Sequence, residues 1–431
     1  LAKVIYSKYF RFAAFAAAIF LRPASRAGDA GSTNVSAGLP DATMFGKVFV
    51  GYQGWFAPAR VEDGAKWVHY GHRGQFKPGY VSVEMWPDTS DLGEDEKVAT
   101  DFRYPDGGVA TVFDSQNPRT VNRHFAWMRQ YGIDGAFLQR FVTEASNPTL
   151  RPRLDRVLAN VRSASTNNGV SWGLMYDLSG VGAANIFPKV SEDWKRLAGE
   201  LGIRSDARYI HHAGKPVVVL WGVGLKERPS PRDYLSLVRF LKDDPIYGGN
   251  TVILGTPFYW RTGRNDATDD PTLREAILAA DVIAPWPVGR YADPAGAAHL
   301  AKSEREPDAQ WAADHGRDYL PGIFPGFSWS NLMKTRGVTN AFNQIPRLGG
   351  RFLWTQAVSA KRAGAKMLYI AMFDEIDEGT AIFKVSNQTP AGETRFLGFE
   401  GLPSDHYLWL AGRIGEMLRG KIPVTDELPT R

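Results

Sequence analysis

Residues 373–382 read FDEIDEGTAI and set four carboxylates, Asp374, Glu375, Asp377 and Glu378, directly before a Gly-Thr pair. Acids this close repel one another, and burial favours the neutral form of each. The cluster should therefore divide into protonated and ionised members. One carboxylic acid and one carboxylate beside a sugar are what cleavage of a glycosidic bond requires. Two other readings compete from these residues alone. Acids in a loop after a strand are often simply solvated, and clustered carboxylates can hold a divalent cation, although the spacing does not match an EF-hand loop. Phe373 and Ile376 interrupt the acids, so part of the segment should face inward.

The acids follow the most hydrophobic run of the chain, Met367 to Met372. Similar runs lie at 47–53, 135–141, 171–177, 216–221, 251–255, 281–285, 319–324 and 366–373. They are rich in Val, Ile, Leu and aromatics without clean alternation, as strands buried on both faces are. Helical patterns separate them. Asn117-Pro118 supplies an N-cap and a first-turn proline, Val121, Phe125 and Met128 then share a face, and Gly132 ends the helix. Leu154, Val157, Leu158 and Val161 form a second stripe. Leu235, Val238 and Leu241 form a third, and Leu408, Ala411, Ile414 and Leu418 form the last. Eight strands alternating with helices predict an α/β fold, a (β/α)8 TIM barrel over residues 44–425. A doubly wound open sheet is the alternative. A phosphate-binding glycine fingerprint after the first strand would favour it, and none is present.

In such a barrel the C-terminal strand ends converge on one pocket. Those ends carry Tyr52, Gln53 and Trp55; Gln139 and Arg140; Tyr176 and Asp177; Trp221; Tyr259 and Trp260; Trp286 and Arg290; Trp329; and then the acid segment with Asp374. Aromatic platforms interleaved with hydrogen-bonding groups suit a sugar, which has apolar C–H faces and a ring of hydroxyls. Each tryptophan also has an ordinary role as packing. Residues 54–116 fit no βα unit and read as an oversized loop after strand one. With Trp67, Glu84, Trp86 and Asp88 it is expected to form an ordered wall of the site.

The acid segment resembles that of glycoside hydrolase family 99, the endo-α-mannosidase family, at Phe373, Glu375, Glu378, Gly379, Thr380 and Ile382. The phrases VGYQGWF at 50–56, EMWPD at 84–88, MYDLSG at 175–180 and PGFSW at 325–329 are similar to uncharacterised bacterial members of the broader 71/99-like group. The resemblance covers most of residues 45–420. It implies a barrel that hydrolyses glycosidic bonds in an oligo- or polysaccharide. Glu378 would be the general acid/base, and Glu375 would act on the sugar 2-hydroxyl during its internal attack on the anomeric carbon. Net retention without a covalent enzyme intermediate follows. Ile376 and Asp377 stand where that family has Trp and His, and Phe383 stands where it has another acid, so mannose specificity is not implied. A double displacement with Asp177 or Glu84 as nucleophile, or a barrel that binds carbohydrate without turnover, are the competing outcomes.

The bulk composition agrees. The chain has 431 residues, 44% hydrophobic and 12% aromatic, enough for one large barrel. Residues 1–27 resemble a secretory leader, with basic Lys3, Lys8 and Arg11, an apolar stretch at 12–21 and a small-residue site at 25–27. Residues 28–43 read as a small, polar linker. The expected location is therefore secreted or periplasmic. The leader holds five of the basic residues and no acid, so the formal +5 falls to about zero without it. A nucleic-acid partner is not expected, since it needs a lasting basic face. No stretch is long and apolar enough to span a bilayer. Without cysteine, disulfides, zinc thiolates and thiol nucleophiles are excluded. The histidines lack a zinc-binding pattern, so no metal and no cofactor are expected.

Overall fold

The computed structural model describes residues 42–60, 64–228 and 231–431. The expected leader and nearly all of the expected linker lie outside them. Eight parallel strands form the centre: β1 Val48–Tyr52, β2 Gly135–Phe141, β3 Ser171–Asp177, β4 Lys215–Trp221, β5 Thr251–Thr256, β6 Val282–Pro285, β7 in two pieces, Asp318–Tyr319 and Gly322–Ile323, and β8 Leu368–Ile370. Neighbours in this order pair from β1 to β6, and β8 pairs back onto β1. The first piece of β7 pairs with β6 and the second with β8, so the broken strand closes the ring. This is the (β/α)8 barrel, not the open sheet.

Strand parity creates two cores. Phe49, Phe137, Met175, Val219, Ile253, Val282 and Tyr369 point into the barrel and pack on one another. Their neighbours Val50, Leu138, Leu174, Leu220, Leu254 and Ile370 point outward, into a layer shared with the helices. Side chains on a strand alternate between faces, so this division fixes which strand-end residues can reach the mouth. The helices form where their apolar stripes predict. Pro118–Gln130 opens with Asn117 accepting the Arg119 N–H and stops before Gly132. Arg151–Asn168, Pro231–Asp243 and His406–Leu418 cover the outward face.

The described residues of the excursion at 54–116 pack into an ordered unit. It contains an antiparallel hairpin, Val98–Arg103 with Val109–Val112, and an aromatic cluster of Tyr70, Phe76, Trp86 and Phe102. It is sewn to the acid segment, because the Glu84 and Met85 N–H groups both donate to the Ile376 carbonyl at 2.8 and 3.2 Å. Among the described residues no helix is long and apolar enough to cross a membrane.

Candidate active site

The four acids emerge together from β8, and the structure gives each a separate task. Asp374 is fully buried and accepts the backbone N–H groups of Gln53 and Gly54 at 2.7 and 2.9 Å. It clamps the turn after β1 to the turn after β8. Burial pushes its pKa up to about 7 despite those hydrogen bonds. Asp377 faces His69 of the excursion, Oδ2 to Nδ1 at 3.3 Å. The remaining two, Glu375 and Glu378, have no cation within ion-pair distance among the described residues.

Glu375 is 5% exposed. Its Oε1 accepts from the Gln53 amide at 2.7 Å, and its Oε2 accepts from the Thr380 hydroxyl at 2.7 Å. Glu378 is half-buried, and among the described residues no side-chain donor is bonded to it. Burial raises the pKa of both. The charge of Glu378 and then of Asp377 raises Glu375 further. Glu378 is pushed up to about 8, by burial first, then Asp377 and Asp177, against an opposing pull from Arg336. The two carboxyls titrate together, and both are held toward the protonated form. Donated hydrogen bonds favour an ionised carboxylate. The donors from Gln53 and Thr380 oppose the rise at Glu375, and Glu378 has no such side-chain donor among the described residues. Gly379 makes the following turn possible: its φ is 64°, and a Cβ there would sit 3.1 Å from the Ser328 nitrogen.

The other expected residues divide by parity. Gln53, Gln139, Asp177 and Trp221 share the inward face. The Gln139 amide approaches the Met175 sulfur at 2.9 Å, and the Asp177 carboxylate accepts the Ser179 N–H at 2.7 Å. Burial raises the Asp177 pKa against the pull of Arg228. Trp221 is half-buried with the ring of Trp286 edge-on at 5.1 Å, and both stand at the mouth over β4 to β6, across from the acids. Ala284, inward on β6, is also half-buried rather than closed off. Trp329 is buried against Phe327.

Six expectations need correction. Tyr52, Arg140 and Tyr176 have the outward parity. The Tyr52 hydroxyl meets His124 at 2.9 Å in the helix layer. Arg140 is buried in a two-point ion pair with Asp193 at 2.5 and 2.7 Å, which the Tyr176 hydroxyl joins at 2.9 Å. Trp260 turns to helix Glu306–Asp314, where its N–H donates to Asp308 at 3.0 Å. Glu84 is wholly buried and accepts the Ser328 hydroxyl at 2.6 Å and the Asn331 N–H. It anchors the excursion instead of facing the mouth. Trp55 is beside the site, yet its faces are taken by His69, stacked at 3.8 Å, and by Phe141 at 5.1 Å. It buttresses His69 and leaves no free face for a sugar.

Tyr369 was not foreseen. It points inward from β8 and lies beneath the pair; burial and then the charge of Glu375 hold its hydroxyl protonated. Alternation along residues 366–373 tells which residues share its face, but not that the face points inward. Among the described residues no group of three acids and histidines is arranged to hold a metal ion.

Fold and mouth together define a (β/α)8 barrel with two buried or half-buried glutamates, Glu375 and Glu378, at the C-terminal ends of its strands. No protein-family model matches the sequence, and no curated protein does. Solved structures do match. A GH99 endo-α-mannosidase from Bacteroides thetaiotaomicron is similar at 15% identity with a TM-score of 0.62, covering 88% of this chain and 99% of that one. A second GH99 endo-α-mannosidase structure from that organism, in complex with bis-tris-propane, has a TM-score of 0.63 at 13% identity over the same shares. A glycoside hydrolase-like protein has 0.56 at 13%, over 88% of this chain and 97% of its own. At such identities the shared property is the fold.

Proposed function

We propose that this chain is a glycoside hydrolase that cleaves an oligo- or polysaccharide with net retention. The observation that carries the reading is the asymmetry of the pair: Glu375 accepts two donated hydrogen bonds, whereas among the described residues Glu378 is bonded to no side-chain donor. Glu378 gives its proton to the departing glycosidic oxygen. Glu375 takes the proton of the sugar 2-hydroxyl as that oxygen attacks the anomeric carbon. In the second half, water attacks the anomeric carbon, Glu378 takes its proton, and Glu375 returns the other to the 2-oxygen. Each acid ends as it began. The mannosidase structures that share the fold support a carbohydrate substrate, and the leader-like N-terminus supports export.

The test is a glycan-library hydrolysis screen with the anomer of the first product read by NMR. Retention is expected. Glu375→Gln and Glu378→Gln should each lower kcat by orders of magnitude with little change in glycan binding, because each acts in the transition state. Wild-type turnover in both variants would overturn the proposal.

A further inference from the structure

One buried cation lies under the acid segment, and the reaction as described does not use it. Arg347 is 3% exposed, and no carboxylate comes within 4 Å of its guanidinium among the described residues. The acid whose charge favours it is Glu400, at the surface. Its Nη2 donates instead to two backbone carbonyls, Gly379 at 2.8 Å and Ala381 at 2.6 Å. The rings of Tyr407 and Phe399 lie 4.5 and 5.0 Å from its centre. Among the described residues its Nε and Nη1 make no hydrogen bond and are closed to solvent, and the Tyr407 side chain offsets part of the burial.

This is an expensive arrangement. Burying a charge without an opposite charge is strongly unfavourable, and an apolar side chain of similar volume is often neutral or better. The surroundings are nevertheless shaped for an arginine: a Cβ on Gly326 would fall 2.6 Å from the Arg347 Cγ. What the guanidinium holds is the turn that ends the acid segment. Gly379 directly follows Glu378. Thr380, between the two captured carbonyls, gives its hydroxyl to Glu375 Oε2, and the Thr380 and Ala381 N–H groups both donate to the Glu375 carbonyl at 3.1 and 3.0 Å. The Glu378 carbonyl accepts from Ser328 N–H at 3.0 Å, which pins the other side.

Resting on the hydrolase reading, we infer that Arg347 is a positioning residue: by gripping the carbonyls of Gly379 and Ala381 it holds Thr380 against Glu375 and sets the distance between Glu375 and Glu378. Catalytic geometry is sensitive to small displacements, and about 1 Å costs about a hundredfold in rate. A side chain that only fills space has no such leverage.

The test compares Arg347→Met, Arg347→Lys and wild type in the full chain, using thermal melting, kinetics on the glycan found in the screen, and carboxyl NMR of glutamate-labelled protein, which needs no ligand. Arg347→Met should melt at or above wild type. Its kcat should fall about a hundredfold with KM within about twofold. Arg347→Lys, still able to reach a carbonyl, should recover part of the loss. In the NMR titration, loosening Thr380 takes a donor from Glu375, so Glu375 is held further toward the protonated form and the Glu378 midpoint falls below its wild-type position. Arg347→Met with wild-type kcat and an unmoved Glu378 midpoint, while Glu375→Gln is inactive, overturns the inference and leaves the hydrolase reading standing. Loss of Tm with unchanged kcat per folded molecule overturns it as well. If Glu375→Gln and Glu378→Gln retain turnover, both readings fall together.

Discussion

Glu378→Gln should make this protein more stable at alkaline pH while removing its activity, and the size of the gain follows from the site. The pKa of Glu378 rises from 4.5 to about 8 in the folded chain, through burial and then the charge of Asp377. The folded state thus holds a proton that the unfolded chain has released across this interval. The group's contribution to stability is complete below about pH 4.5 and is lost as pH rises through about 8. A gap of about 3.5 pH units at about 1.4 kcal/mol each gives about 5 kcal/mol for a fully shielded carboxyl. Glu378 is only half-buried, so solvent screening reduces this to about 2–3 kcal/mol. Glutamine carries no charge at any of these pH values and avoids the loss. With an unfolding entropy of about 2.1 cal/mol/K per residue, a chain of this length has about 0.9 kcal/mol/K. The variant should therefore melt roughly 2–3 °C above wild type at about pH 8.5 and level with it near pH 4.5. Scanning calorimetry at about pH 4.5, 6.5 and 8.5 measures it. A Tm difference that stays constant across that range, or turns negative at the alkaline end, refutes the idea that burial holds a proton on this acid.

Three further outcomes are expected. The kcat/KM of wild type should fall as pH rises through about 8, because the proton on Glu378 is the one delivered to the leaving oxygen; a profile flat to about pH 10 contradicts this. Gln53→Ala takes one of two donors from Glu375 and weakens its ionised form, so kcat should drop about tenfold with KM nearly unchanged, as steady-state kinetics will show. Arg140→Leu leaves Asp193 buried with only the longer Arg196 ion pair at 3.4 Å and should cost about 3 kcal/mol in denaturant unfolding, yet activity per folded molecule should persist, since Arg140 lies outside the barrel.

The amino-acid sequence determined much of this protein. Eight apolar runs and the amphipathic stripes between them specify a (β/α)8 barrel, because hydrophobic periodicity is a local property that survives without coordinates. The acid segment announced itself by composition, and Gln53 was named from its place at the end of a strand. Alternation tells which residues of one strand share a face, but which face points inward was not readable, because both faces of these strands are buried; Tyr52, Arg140 and Tyr176 face out and Tyr369 faces in. Tertiary structure decided the rest. Which acid among four is clamped, which is paired and which receives side-chain donors depends on groups brought from residues 53, 54, 69 and 380. Trp55 reads as a sugar platform in one dimension and is a covered buttress in three, because His69 arrives from a distant turn to lie on its face. Arg347 carries no local signal at all. Its partners are two backbone carbonyls more than thirty residues away, and backbone groups are the same for every sequence, so their meeting exists only once the chain has folded.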